Sequence, residues 1–189
     1  MRNGYLDFLQ RAKTNFAVRT ANMHPYLGYH DAMACDAIAS RDAVLLLDQA
    51  RSLQRAAAAG DLPASLRGRK FALLSEADDS GDAELFQRAA VELGAQVTHI
   101  RPSVAELSTL LDVRRTAYML GRLYDAVECQ GMASDLVHQI GFHASVPVYD
   151  GVASQKHPTA KLTDQLDGDA SNPDKRRFVL QAFLLSTIA

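Results

Sequence analysis

Glu76, Asp78, Asp79 and Asp82, with Ser80 and Gly81 among them, lie in one stretch, FALLSEADDSGDAELFQRAAVELG (71–94). The apolar run Phe71-Ala72-Leu73-Leu74 ahead of them reads as a buried strand. Behind them Leu85, Phe86, Ala89, Ala90 and Leu93 fall at helical spacing, and Gly94 is placed to end that helix. A strand, a loop and a helix N-terminus normally form an anion pocket, because unpaired backbone N–H groups and the helix dipole point into the loop. Here the loop carries acids, which repel an anion. The same acids could hold a hard divalent cation, which makes Glu76, Asp78, Asp79 and Asp82 the candidate metal set. They also fit a plainer reading, in which acids near a helix N-terminus complement its dipole. His24 and His30 have no acidic or cysteine partner at a fixed spacing, and Cys35 and Cys129 lie outside any metal-ligand pattern. No cofactor is expected.

The surrounding elements set where this loop must sit. Residues 5–18 have near-helical apolar spacing, and 20–36 read as an extended or loop segment. Ser40 is a good N-cap for a long helix that Gly60 can end. Strands follow at 71–74, 96–100, 126–129 and 146–149. Between them come the helix after the acidic loop, a short helix opened by Ser103 and Glu106, and helices at 113–124 and 133–140. Strands alternating with helices call for a parallel sheet with right-handed crossovers. The expected fold is a single three-layer α/β/α domain with four parallel strands in the order 2-1-3-4. Pro158 opens one more helix, and 174–188 forms a last one that is apolar around most of its circumference and should be buried or packed on a partner chain. The division expected is an extension over 1–37, the α/β domain over 38–166, a linker over 167–173 and a C-terminal helix over 174–189 that packs back on the domain.

Composition narrows the class. The 189 residues are 48% hydrophobic and 22% charged with a net charge of −2, ordinary for a globular protein. Acids and bases are mixed along the chain, so no nucleic-acid face is expected. No apolar run approaches the roughly 20 residues that span a bilayer, and no signal-peptide core is present, so a cytoplasmic location away from membranes is expected.

Several strings, in order, resemble the carbamoyl-phosphate domain of the aspartate/ornithine carbamoyltransferases. Leu66-Arg67-Gly68-Arg69 before the first strand resembles that family's LKGK approach. Thr116-Ala117, Leu120, Arg122 and Asp125-Ala126 resemble its DTARVLSRYVDAI segment. Ala144-Ser145-Val146-Pro147-Val148 with Asp150-Gly151 resembles ASVPVINGL, and His157-Pro158-Thr159 resembles HPTQ. Arg176 to Leu185 resembles, more loosely, the helix that ends the family chain.

The resemblance implies a site and also implies its loss. Family enzymes grip carbamoyl phosphate with a Ser-Thr-Arg-Thr-Arg loop, an Arg after the third strand, and the His and Gln of HPTQ. Aligned through Leu93-Gly94, the loop here reads Asp79-Ser80-Gly81-Asp82-Ala83. Gln130 stands for the later Arg and Ala160 for the Gln. The implied ligand positions are therefore Ser80, Gly81, Asp82, Gln130 and His157, and His157 is the one catalytic residue retained. A hydrogen bond to a charged group is worth about 1.5–3 kcal/mol, so three missing arginines remove about 4 kcal/mol or more. That is roughly a thousandfold in affinity. The family's acceptor domain has no room in 189 residues, and the 167–173 linker stands in its place. Three uses follow. One is a non-catalytic subunit, a homo-oligomer (a trimer by resemblance) or a companion of a full-length carbamoyltransferase. Another is a protein with a cationic or zwitterionic ligand at the acidic loop. The third is a carbamoyltransferase completed in trans.

Overall fold

A computed structural model describes residues 26–27, 40–75, 81–103, 107–167 and 171–188. Five parallel strands form one sheet in the order β1-β5-β4-β2-β3. They are β1 (Tyr26–Leu27), β2 (Lys70–Ser75), β3 (Gln96–Ile100), β4 (Ala126–Gln130) and β5 (Val148–Asp150). The four strands expected from sequence stand in the expected order, and β1 adds a two-residue edge beside β5. The helix expected at 5–18 lies outside the described residues.

β2 is apolar through Phe71–Leu74 because both of its faces are covered, as in a buried parallel strand. Phe71 and Leu73 enter the core beneath α1 (Ser40–Ala58), α2 (Gly81–Glu92) and α5 (Asn172–Ile188). Ala72 and Leu74 enter the opposite core, under α3 (Leu110–Leu123) and α4 (Ser134–His143). This gives the three layers. α3 starts where Thr109 accepts from the Asp112 N–H at 3.2 Å. Gly94 closes α2 at φ +90, and a Cβ there would lie 3.1 Å from the Ala64 Cβ. That close approach lets the connector's Leu66 N–H bond to the Leu93 carbonyl at 2.8 Å.

Residues Arg176 to Leu185 of α5 are all buried. The helix lies against α1, α2 and a 3-10 helix at Pro158–Gln165. Its apolar residues join the first core, and its polar ones are tied down: Arg177 bridges Glu92 and Asp174, and Gln181 donates to the Ala89 carbonyl at 3.3 Å and to Glu92 at 3.0 Å. Among the described residues no helix is long and apolar enough to cross a membrane.

Candidate functional site

After β2 the chain crosses to β3 on one side, and β4 then returns to the other side of β2. The crevice at the C-terminal ends of β2 and β4 is therefore the topological switch point, where open α/β sheets bind ligands. Gly81 and Asp82 open α2 there, and Gln130 ends β4 opposite Ser75. Glu76, Asp78, Asp79 and Ser80 lie outside the described residues. The crevice is bridged by protein: Gln130 Nε2 donates to Asp82 Oδ2 at 3.2 Å, and Gln130 Oε1 is buried without a partner.

A second set of polar groups lies beneath this bridge. The alternation of β4 sends Glu128 to the same face as Leu73 and Tyr149, its partners in register. Glu128 is fully buried. Its Oε2 accepts from the Val152 N–H at 3.3 Å, and its Oε1 has no partner. Burial above all, opposed by the backbone donors and reinforced by Asp150 and Asp82, holds this carboxyl well above the usual carboxylate range. Arg176 of α5, 1% exposed, donates to Thr159 Oγ1 at 3.0 Å, to the Val152 carbonyl at 2.7 Å and to the Ser154 carbonyl at 3.3 Å. Burial lowers its pKa to about 10 against the pull of Asp82 and Glu128.

His157 caps the 3-10 helix. Its Nδ1 accepts from the Thr159 N–H at 3.3 Å and lies 2.9 Å from Thr159 Oγ1. That pattern assigns the ring proton to Nε2, which is buried without a partner. Burial, then the nearby Arg176 charge, brings its pKa down to about 4, so the ring is neutral at physiological pH. The ring also meets Phe183 of α5 edge-on, with centroids 5.8 Å apart.

The structure thus brings together Asp82 and Gln130, and beneath them His157 with Glu128, Asp150 and Arg176. The last three were missed in the sequence. Glu128 gave a usable signal, a lone acid inside the apolar run Ala126–Cys129. Arg176 gave none, because Lys175, Arg176 and Arg177 read as a basic helix start. Ala83, at the last position of the former phosphate loop, is buried in the core. A cavity of about 250 Å³ beside the crevice is lined by Pro102, Ser103, Leu107, Gly131, Met132 and their neighbours, none of them charged. Among the described lining residues none replaces a phosphate-binding cation. No group of three or more His, Cys, Asp or Glu among the described residues is arranged to hold a metal ion. Of the candidate cation set, only Asp82 can be placed.

Residues 30–167 match the family described as aspartate/ornithine carbamoyltransferase, carbamoyl-P binding domain. The chain is 36% identical over 126 residues to an ornithine carbamoyltransferase of Haemophilus influenzae, which covers 67% of this chain and 38% of that protein. It is 37% identical over 125 residues to a catabolic ornithine carbamoyltransferase of Burkholderia mallei, covering 66% and 37%. The fold is similar to that of the ornithine carbamoyltransferase from Pyrococcus furiosus, with TM-score 0.57 and 21% identity over 67% of this chain and 40% of that one. The chain therefore spans about two fifths of the length of these relatives. It belongs to the aspartate/ornithine carbamoyltransferase family, through the carbamoyl-phosphate-binding domain.

Proposed function

We propose that this chain has lost carbamoyl-phosphate binding and catalysis and acts as a structural or regulatory subunit in the cytoplasm. One observation carries the reading: the position of a phosphate-binding Arg is Gln130, and its side chain donates to a carboxylate, Asp82, at the start of α2. A dianion there would have to displace that bond and lie against Asp82. The nearby cation, Arg176, already donates to Thr159 and two backbone carbonyls. His157, though retained, is buried and neutral and caps its own helix.

A subunit role also needs a contact surface. α3 turns Leu110, Leu111, Tyr118, Met119 and Leu123 outward, each at least half exposed, and such apolar patches usually mark interfaces. Self-association, as a trimer by family resemblance, or pairing with a full-length carbamoyltransferase would cover that face. The helix α5 packs on α1, α2 and the 3-10 helix, which supports a domain whose first core is covered within this chain.

A second reading has its own support. Glu128 Oε1, Gln130 Oε1 and Asp150 Oδ2 are buried acceptors without partners, which suits a cationic or zwitterionic ligand better than an anion. The deciding assay is carbamoyl transfer to ornithine and to aspartate by the chain alone, run beside a melting screen with amino acids and polyamines. Turnover would sink the subunit reading. A melting shift with an amine but not with carbamoyl phosphate would favour the second.

A further inference from the structure

Residues 152–157, which lead from β5 to the 3-10 helix and end on His157, are gripped from two sides. From β4, the Glu128 carboxyl receives the N–H groups of Val152 (3.3 Å) and Ala153. From α5, Arg176 reaches the carbonyls of Val152 and Ser154 and the Thr159 hydroxyl that meets His157 Nδ1. Glu128, Arg176 and His157 are thus joined through one short segment.

The grip contains an anomaly. Glu128 has no ion-pair partner within 4 Å among the described residues, and Oε1 has no hydrogen-bond partner. The groups that face it are mostly of the wrong sign. Asp82 of α2 and Asp150 of β5 raise the cost of a negative charge, and the adjoining Cys129 thiol and Tyr149 phenol are neutral. Arg176 of α5 attracts it without contact, and its Nη1 and Nη2 groups are held by oxygens of the 152–159 segment. A fully buried carboxylate oxygen with no protein partner is far more costly ionised than neutral.

We propose that Glu128 is a proton-controlled latch on residues 152–157: neutral, it lets the segment dock between β4 and α5; ionised, it forces the segment open to admit water. The proton leaves to solvent, and opening exposes His157 and loosens the hold of Arg176. Proton uptake and release at one buried carboxyl would then regulate access to the switch-point crevice.

The experiment follows amide hydrogen exchange of Val152 and Ala153, as protection factors, with thermal melting of the same samples from pH 5 to 9.5. The wild-type chain should lose protection by about tenfold per pH unit once Glu128 begins to ionise, as linkage to a single proton requires. Glu128→Gln should keep the pH 7 protection and show no such slope. Glu128→Met, neutral and apolar, should fold and share that flat profile. Equal slopes in wild type and Glu128→Gln would overturn the proposal. So would failure of both variants to fold at pH 7, since the negative charge would then be required by the fold.

Discussion

Replacing Arg176 by Met should destabilise the chain, and the size of the loss follows from its contacts. The side chain is 1% exposed and makes bonds of 3.0 Å to Thr159 Oγ1 and 2.7 Å to the Val152 carbonyl, with a longer third at 3.3 Å. Bonds from a charged donor are worth about 1.5–3 kcal/mol each, so the two short ones supply about 3–6 kcal/mol. Against this stands relief of the cost of burying the guanidinium, which is what lowers its pKa to about 10. Met fills the stem volume but leaves the Val152 carbonyl unpaired. A net loss of about 2–4 kcal/mol is expected, in line with removing one buried charge from a bonded set. Urea unfolding followed by circular dichroism reads it directly. With a slope near about 2 kcal/mol/M, the midpoint should fall by about 1–2 M. An unchanged or raised midpoint would refute the reasoning, because it would mean that Arg176 is held at a cost to the fold, as a ligand-binding group is, and does not brace the 152–159 segment.

Other outcomes are expected on the same grounds. The His157 pKa lies near 4 in the fold against 6.5 for a free histidine, so the unfolded chain takes up this proton first as pH falls. The stability it contributes is complete above pH 6.5 and is lost toward pH 4, by at most about 3 kcal/mol. His157→Asn, which keeps a capping side chain, should flatten the melting profile in that window. Gly94→Ala should cost about 1–3 kcal/mol by melting, because the backbone is at φ +90 and the new Cβ meets Ala64 at 3.1 Å. Restoring arginine at Gly81 and Gln130 together should yield no carbamoyl transfer by the chain alone, since Asp82 and Ala160 remain. Tyr118→Glu with Met119→Glu should leave the fold intact and lower the mass seen by light scattering if α3 carries the subunit contact; an unchanged oligomer would move the contact elsewhere.

The strand positions could be read from the sequence because their cause is local. Runs such as Phe71–Leu74, buried on both faces, announce central strands, and the intervening helical spacing fixes the crossovers. The edges were less legible. β1 joins the sheet through only two residues, Tyr26 and Leu27, and a pairing that short leaves no compositional pattern. The last strand was expected from Val146, but its register with β4 begins at Val148. Pro147 has no N–H to donate and contributes only its carbonyl, to Val127 at 2.9 Å. α3 begins three residues ahead of the expected Val113 because Thr109 caps a first turn whose leucines face outward, where periodicity gives no signal.

The site was legible in part, and for a physical reason. Asp82, Gln130 and His157 sit at positions marked by local motifs. Glu128 and Arg176 meet only through Val152, from whose N–H one accepts and to whose carbonyl the other donates, and that meeting is set by how the tertiary fold places the segment after β5 between them. Ala83 shows the opposite limit: alignment placed it on the phosphate loop, and packing places it in the core.

The most direct test of the lost phosphate site is isothermal titration of the purified chain with carbamoyl phosphate at neutral pH. No saturable heat up to millimolar ligand is expected, because Asp82 and Gln130 occupy the start of α2 with each other. One-to-one binding with a micromolar Kd would contradict it.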